Sequence, residues 1–235
     1  GLMGRNGAGK TTFLNLISSR IFADSGEIRL FGRNAVENQE ALSKVCYMPE
    51  KNFFIPGMRV SEILRSASVF YEHFDREYAG RLCEKLDLNI KKKYKTLSRG
   101  FESILRVVIG LASRAPLTIF DEPVLGLDAA VRELFYRELI DDYVQYPRTF
   151  IVSTHLIEES ADVFEEALII KEGVLAEHLP VEDLKERGRY VSGKADVVDK
   201  AVEGLKVIHS EMIGNVKVSA VYENLTEEKS KKLSG

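Results

Sequence analysis

Two short segments carry the residue types that phosphate chemistry needs. The first, Gly4-Arg5-Asn6-Gly7-Ala8-Gly9-Lys10-Thr11-Thr12, contains a complete GxxxxGK[ST] pattern. Glycines at 4, 7 and 9 let the backbone close into a nest of N–H donors around a polyanion. A helix beginning near Lys10 points its positive end at the same place. Lys10 would then reach the β- and γ-phosphates of a nucleotide, and the Thr11 hydroxyl would ligate Mg²⁺. The second segment, Leu117-Thr118-Ile119-Phe120-Asp121-Glu122, is an apolar strand ending in two carboxylates. Asp121 can hold Mg²⁺ through its water shell, and Glu122 can orient or deprotonate an attacking water. An acidic pair after a strand is by itself a common turn; its partnership with a phosphate loop gives it meaning. Lys10 and Asp121 lie 111 residues apart, room for several βα units that return parallel strands side by side.

The elements that must position these residues are legible in outline. Phe13, Leu14 and Ile17 follow the loop at helical spacing. Asp24-Ser25-Gly26 is a turn leading into an alternating strand over Glu27–Gly32, and Val45–Met48 reads as a short buried strand stopped by Pro49. From Ser61 to about Ala115 the pattern is helical, with Ser61 as N-cap of a helix over Glu62–His73 and a second helix over Tyr78–Leu88. Val107–Ala112 is apolar throughout and fits a buried helix segment rather than a membrane span. Three short strands follow, Leu117–Phe120, Thr149–Ser153 and Ala167–Ile170, separated by helical patterns such as Val131, Leu134, Phe135, Leu139 and Tyr143. Near-continuous apolar strands alternating with helices predict an α/β fold with a mostly parallel sheet covered on both faces.

From about Gly188 the character changes. Arg189–Ser192, Leu205–His209 and Val216–Tyr222 read as strands, with a helix over Asp196–Glu203 and a Gly214-Asn215 turn. The expected division is a nucleotide-binding domain over 1–187, carrying a helical subdomain at about 50–115, and a small β-rich accessory region over 188–235, read as a packing or dimer-contact module. Only Gly1, Leu2 and Met3 stand before the phosphate loop, so a chain truncated at its N-terminus is expected.

Composition excludes little and directs a little. The 235 residues are 45% hydrophobic and 29% charged, an ordinary globular balance. A formal net charge of −3 leaves no basic footprint for nucleic acid, and Lys91-Lys92-Lys93 reads as a solvated loop. Cys46 and Cys83 have no metal-like spacing and are expected as buried thiols in a reduced compartment.

Four motifs in order now make a resemblance specific. The phosphate loop and Leu117–Glu122 are joined by Leu97-Ser98-Arg99-Gly100-Phe101, which resembles the LSGGQ signature and places Ser98 23 residues before Asp121. Pro123-Val124-Leu125-Gly126-Leu127-Asp128 resembles the segment that follows the catalytic glutamate, and Ser153-Thr154-His155 resembles the switch-histidine segment. From residue 1 to about 185 the chain is similar to the ATP-binding subunits of ABC transporters. The fold this implies is a P-loop NTPase with an inserted helical subdomain, and the activity is ATP hydrolysis coupled to transport. The resemblance implies ATP and Mg²⁺ as ligands, Glu122 and His155 as catalytic residues, and Thr11, Glu50 and Asp121 as metal ligands. It makes Gly4 to Thr12, together with Ser98 and Gly100, the nucleotide-binding set. Ser98 and Gly100 would serve the nucleotide held by Lys10 of a second cassette. On the residues alone, Ser98 is equally an N-cap of the helix over Glu102–Ala112.

The implied partners are a second ATP-binding cassette and a transmembrane permease subunit, which places the protein in the cytoplasm, peripheral on the inner face of the cell membrane. Phe53, Phe54, Ile55 and Met58 form an apolar cluster that is either core or the groove receiving the permease. Tyr47-Met48-Pro49-Glu50 with Leu-Ser-Arg-Gly is most similar to bacterial exporter-type subunits. The chain departs from the family pattern at Arg99 and Phe101, where Gly and Gln are commonest, and at Glu50, where Gln usually links Mg²⁺ to the transporter contact. The aromatic residue that stacks on adenine lies upstream of the phosphate loop in this family and is not in the sequence. Two rival classes are a chromosome-maintenance ATPase and a ribosome-associated ABC-type translation factor. The first needs a long coiled coil between loop and signature, whereas 88 residues without sustained heptads separate Lys10 from Ser98. The second normally carries two cassettes and a charged linker.

Overall fold

The computed structural model describes residues 1–51, 54–155, 162–205 and 207–222. A six-stranded sheet in the order β4-β5-β6-β1-β7-β8 carries the site. It comprises β4 (Val45–Met48), β5 (Leu117–Asp121), β6 (Thr149–Thr154), β1 (Leu2–Met3), β7 (Glu166–Lys171) and β8 (Val174–Pro180). The pairs β4/β5, β5/β6, β6/β1 and β1/β7 are all parallel. β8 follows β7 through the two-residue turn Glu172-Gly173, in which both residues have positive φ.

All five residues of β5 are buried, as a parallel strand covered on both faces requires. Alternation splits them between two cores. Leu117 and Ile119 join Leu2, Val45 and Ile170 with Leu14 of α1 (Lys10–Ile17). Phe120 points the other way, edge-on to Phe135 of α6 (Ala129–Gln145) at a centroid distance of 5.7 Å and stacked near Phe150. On that side lies α5 (Arg99–Ala112), buried at every position from Ser103 to Ala112 and therefore apolar on all sides except at Ser103 and Arg106.

Between β4 and β5 the chain forms α3 (Val60–Phe70) and α4 (Arg76–Lys85), which share the large apolar core with α5. The cap of α3 differs from the expectation at Ser61. Glu62 turns back to accept the Arg59 N–H at 2.7 Å, so the helix begins two residues earlier. It ends at Phe70 because Asp75 starts α4, accepting the Tyr78 N–H at 2.8 Å while its own N–H donates to the Ala112 carbonyl. The strand expected over Glu27–Gly32 is instead a hairpin of β2 (Arg29–Leu30) and β3 (Arg33–Asn34). Phe31 and Gly32 both have positive φ, the two-residue turn that matches strand twist. A single turn, α2 (Gln39–Leu42), is capped by Asn38.

The contacts divide the chain into one unit of Gly1–Phe164 with Leu168–Glu177 and another of Glu165–Ala167 with His178–Gly235. In that second unit α7 (Val181–Arg187) runs straight into β9 (Gly188–Gly193). In the second unit β9, β10 (Val207–Ile213) and β11 (Val216–Tyr222) form an antiparallel sheet in the order β10-β11-β9. Val198 and Val202, on and just after α8 (Ala195–Ala201), pack with Val191 and Leu205. Cys46 and Cys83 are buried free thiols, each pushed up to about 11 by burial.

Phe120 joins the sheet to α5 and α6, so its truncation tests the core that supports the site. Phe120→Ala should cost about 3–5 kcal/mol. Urea denaturation checks this: the midpoint should fall at unchanged slope.

Candidate nucleotide site

Strand register brings the functional residues to one edge. Met48 pairs with Phe120, Asp121 with Ser153, and Leu2 with Ser153 in turn. The carboxyl ends of β4, β5, β6 and β1 therefore lie side by side, and the next residues of the chain are Pro49-Glu50, Glu122, His155 and Gly4. Open parallel sheets bind ligands at this edge.

The phosphate loop is built from β1 and α1. Gly9 precedes the first helical residue with φ +107, a conformation that side chains resist. The turn after β7 supports the loop from behind, where the Gly173 N–H donates to the Ala8 carbonyl at 2.9 Å. Arg5, Asn6 and Gly7 form an exposed rim, and Thr11 and Thr12 are exposed on the first turn of α1. Lys10 is buried and donates from Nζ to the Gly4 carbonyl at 2.8 Å.

Asp121 is the centre of the carboxylate side. It is buried, and its Oδ2 accepts from Thr11 Oγ1 at 2.8 Å while its Oδ1 accepts from Ser153 Oγ at 2.5 Å. Tyr47 reaches Oδ2 at 3.5 Å; burial pushes its phenol pKa up, and the neighbouring Asp121 adds to the rise. Ser153 in turn accepts the Glu122 N–H at 2.9 Å, so one hydroxyl fixes both acidic residues. Glu122 has φ +50, an uncommon conformation for a non-glycine residue, held by that hydrogen bond and by two side-chain partners. His155 Nδ1 lies 2.8 Å from Glu122 Oε2, and Lys10 Nζ lies 3.3 Å from Oε1. The Lys10 approach is an ion pair without hydrogen-bond geometry, and Oε1 has no hydrogen-bond partner among the described residues.

The structure thus brings together Lys10, Thr11, Asp121, Glu122 and His155. Thr11 Oγ1 and Asp121 Oδ2 are adjacent hard oxygen donors, the kind of set that suits Mg²⁺, which takes few protein ligands beside phosphate and water. Glu50, also expected as a metal ligand, accepts a hydrogen bond from Arg99 Nη2 through Oε1 at 3.2 Å. A guanidinium stands where the commonest signature has glycine, and it draws the carboxylate towards itself.

Ser98 and Gly100 form a second group with Arg99 at the start of α5. Ser98 caps the helix, accepting the Phe101 N–H at 3.4 Å. A Cβ on Gly100 would lie 2.9 Å from the Gly126 carbonyl oxygen, so glycine lets the first turn of α5 approach the Gly126 loop. Asp128 caps α6 by accepting the Val131 N–H at 2.9 Å. Of the apolar cluster after Glu50, Phe53 lies outside the described residues. Phe54 packs edge-on to Tyr94 at 5.5 Å and with Met58 lines the core, whereas Ile55 is 64% exposed.

Two residues have positioning roles that motif reading does not supply. Ser153, read in the sequence only as part of the histidine segment, is one; a polar residue near the end of an apolar strand beside a buried carboxylate is its signal. Arg106 is the other, the lone charge in the otherwise apolar run from Ile104 to Ala112. Its Nη1 donates to the Pro49 carbonyl at 2.8 Å and approaches that of Asp121 at 3.4 Å, and its Nη2 donates to Ser103 Oγ at 2.7 Å. Burial pulls its pKa down, and the nearby Glu50 carboxylate opposes that shift.

Comparison with known proteins identifies the family and the fold. Residues 1–125 match the family described as ABC transporter. The ABC transporter ATP-binding protein YtrB of Bacillus subtilis is 31% identical over 186 residues, covering 79% of this chain and 64% of that protein. The bacitracin transport ATP-binding protein BcrA of Bacillus licheniformis is 31% identical over 209 residues, covering 86% of this chain and 67% of that protein. The chain therefore spans about two thirds of the length of these relatives. A solved ATP-binding subunit of an ABC transporter superposes with a TM-score of 0.70 at 22% identity, over 78% of this chain and 79% of its own. The dimeric cassette MJ0796 bound to ADP and Pi superposes with a TM-score of 0.66 at 21% identity, over 77% and 84%. No described helix is long and apolar enough to cross a membrane. With the phosphate loop, the paired carboxylates and the histidine assembled on one sheet edge, and the first 125 residues matching its pattern, this chain belongs to the ABC transporter family and has the fold of its ATP-binding cassettes.

Proposed function

We propose that the protein binds and hydrolyses ATP as the motor subunit of a membrane transporter, working as a pair of cassettes. The observation that carries this reading is the convergence of Lys10 and Thr11 with Asp121, Glu122 and His155, from three separate segments, within hydrogen-bonding or ion-pair distance. Lys10 places its charge at the β- and γ-phosphates, in exchange for its present contacts with the Gly4 carbonyl and Glu122. Bound Mg²⁺ supplies charge neutralisation at the phosphates, and Thr11 and Asp121 are the residues that would hold it. Glu122 takes the proton from the attacking water or fixes its direction. His155 positions Glu122 through Oε2, and Ser153 holds its backbone.

Ser98 and Gly100 serve the nucleotide of the opposite cassette, where the amino end of α5 offers N–H donors to the γ-phosphate. The name of BcrA, which refers to bacitracin transport, supports a transport role; the direction we propose is export, driven from the cytoplasmic face with a permease subunit. Among the described residues of the apolar cluster, exposed Ile55 beside the Glu50 segment is available for that contact.

Glu122→Gln keeps size and hydrogen bonding but removes the base, so hydrolysis should fall by about 10²–10⁴-fold while ATP binding persists. Unhydrolysed ATP should then hold two chains together, seen as a doubled mass by light scattering with ATP-Mg; a monomer that binds ATP would rule out the homodimer. Adding Ser98→Arg should return that trapped dimer to monomers without loss of nucleotide binding. Lys10→Ala should weaken ATP binding, measured by calorimetric titration; unchanged affinity would remove Lys10 from the phosphate site.

A further inference from the structure

Two arginines on α5 reach the same short segment. Arg99 opens the helix and Arg106 follows seven residues later, two turns along the same face. Arg99 holds the Glu50 carboxylate at 3.2 Å and Arg106 holds the adjacent Pro49 carbonyl at 2.8 Å. The two grips differ in kind. The Arg99–Glu50 pair is open to solvent, with side chains 67% and 39% exposed, and such pairs are weak alone. Arg106 is 3% exposed, and its hydrogen bonds form where water cannot compete.

Arg106 also reaches beyond that segment. It approaches the Asp121 carbonyl at 3.4 Å and binds Ser103 Oγ, which donates to the Leu125 carbonyl at 2.8 Å. A planar guanidinium with several fixed donors can join three backbone segments in this way; a lysine ammonium matches that geometry poorly. A buried charge inside an apolar helix is costly, so its retention calls for a positional reason.

We propose that Arg106 and Arg99 make α5 a two-point clamp on Pro49-Glu50, and that through the Asp121 and Leu125 carbonyls the same clamp sets the position of the Asp121-Glu122 pair. Arg99 and Arg106 are positioning residues, and Glu50 acts as the partner of Arg99 rather than as an independent ligand. The effect on turnover rests on the ATPase reading above; the clamp itself does not.

The test compares Arg106→Met, Arg106→Lys, Arg99→Ala, Glu50→Gln and the Arg99→Ala/Glu50→Gln double variant with the unmodified protein. Steady-state hydrolysis of ATP-Mg gives kcat and KM, and amide hydrogen exchange reports on Glu50 and Lys51. Arg106→Met should lower kcat about 10²-fold, because misplacement of catalytic groups by about 1 Å costs that much. The ATP KM should change by less than about threefold, the signature of lost positioning rather than lost binding. Arg106→Lys should recover about tenfold of that loss, since it keeps the charge but not the fork. The double variant should be no slower than the slower single one, as for residues acting as a unit. Exchange at Glu50 and Lys51 should rise about tenfold in Arg106→Met as the local structure opens. An Arg106→Met protein with kcat within about twofold of the parent, or a double variant whose losses multiply, would overturn the proposal. Should Arg106→Met fail to fold, Arg106→Lys and the Arg99/Glu50 cycle decide by the same criteria. If the parent binds ATP without hydrolysing it, the ATPase reading fails, and exchange at Glu50 and Lys51 alone then upholds or overturns the clamp.

Discussion

A carboxylate at the end of a fully buried strand must be met by hydrogen-bond donors, and Asp121 meets this requirement from two directions. Thr11 donates from the phosphate loop and Ser153 from the neighbouring strand. An ionised carboxylate without such partners would be expelled from the interior or lose its charge. The need to satisfy Asp121 therefore ties the amino end of α1 to β5 and β6. Parallel register makes this possible, because it brings the carboxyl ends of strands distant in sequence to one edge. The rest of the site hangs from that arrangement: Glu122 follows Asp121, His155 follows the last residues of β6, and Ser153 fixes the Glu122 backbone.

The strain at Glu122 belongs to the same constraint. The chain leaves β5 in a left-handed conformation that sets the Glu122 side chain between Lys10 and His155. Such backbone persists where its surroundings over-determine it. Here an N–H to Ser153, a carboxylate oxygen to His155 and an ion pair to Lys10 do so. The segment after Glu122 is determined as tightly, since Leu125 accepts from Ser103 and Gly126 lies against Gly100. The start of α5 and the segment after β5 thus meet within one chain, through Ser103 Oγ to the Leu125 carbonyl and Gly100 against Gly126.

α5 reconciles two demands that normally conflict. Its middle must be apolar all round, because the sheet, α3, α4 and α6 contribute to the same core. Its amino end must stay polar, because Ser98 caps it and Arg99 turns to Glu50. Arg106 lies where these regions meet, a buried charge whose Nη1 reaches main-chain carbonyls and whose Nη2 donates to Ser103 Oγ, while its Nε has no hydrogen-bond partner among the described residues. Two of the three residues that depart from the commonest family pattern, Glu50 and Arg99, are in contact with each other.

The sequence by itself determined what depends on local chemistry. Glycine spacing announces the phosphate loop, the apolar run ending in Asp121-Glu122 announces β5, and strands alternating with helices imply a parallel sheet. The structure decided what depends on partners distant along the chain. Glu62 overrides Ser61 as the capping group because backbone geometry at Arg59 presents the free N–H. Phe54 faces Tyr94 while Ile55 faces solvent, a division that two adjacent apolar letters do not encode. The helix α7 and the strand β9 follow one another without a break across the change in composition near Gly188. Glu50 turns to Arg99, and Arg106 joins three segments, through contacts that exist only once α5 is packed beside the ends of β4 and β5. Residue type fixes which bonds a side chain can make; only packing decides which of the possible partners arrives within reach.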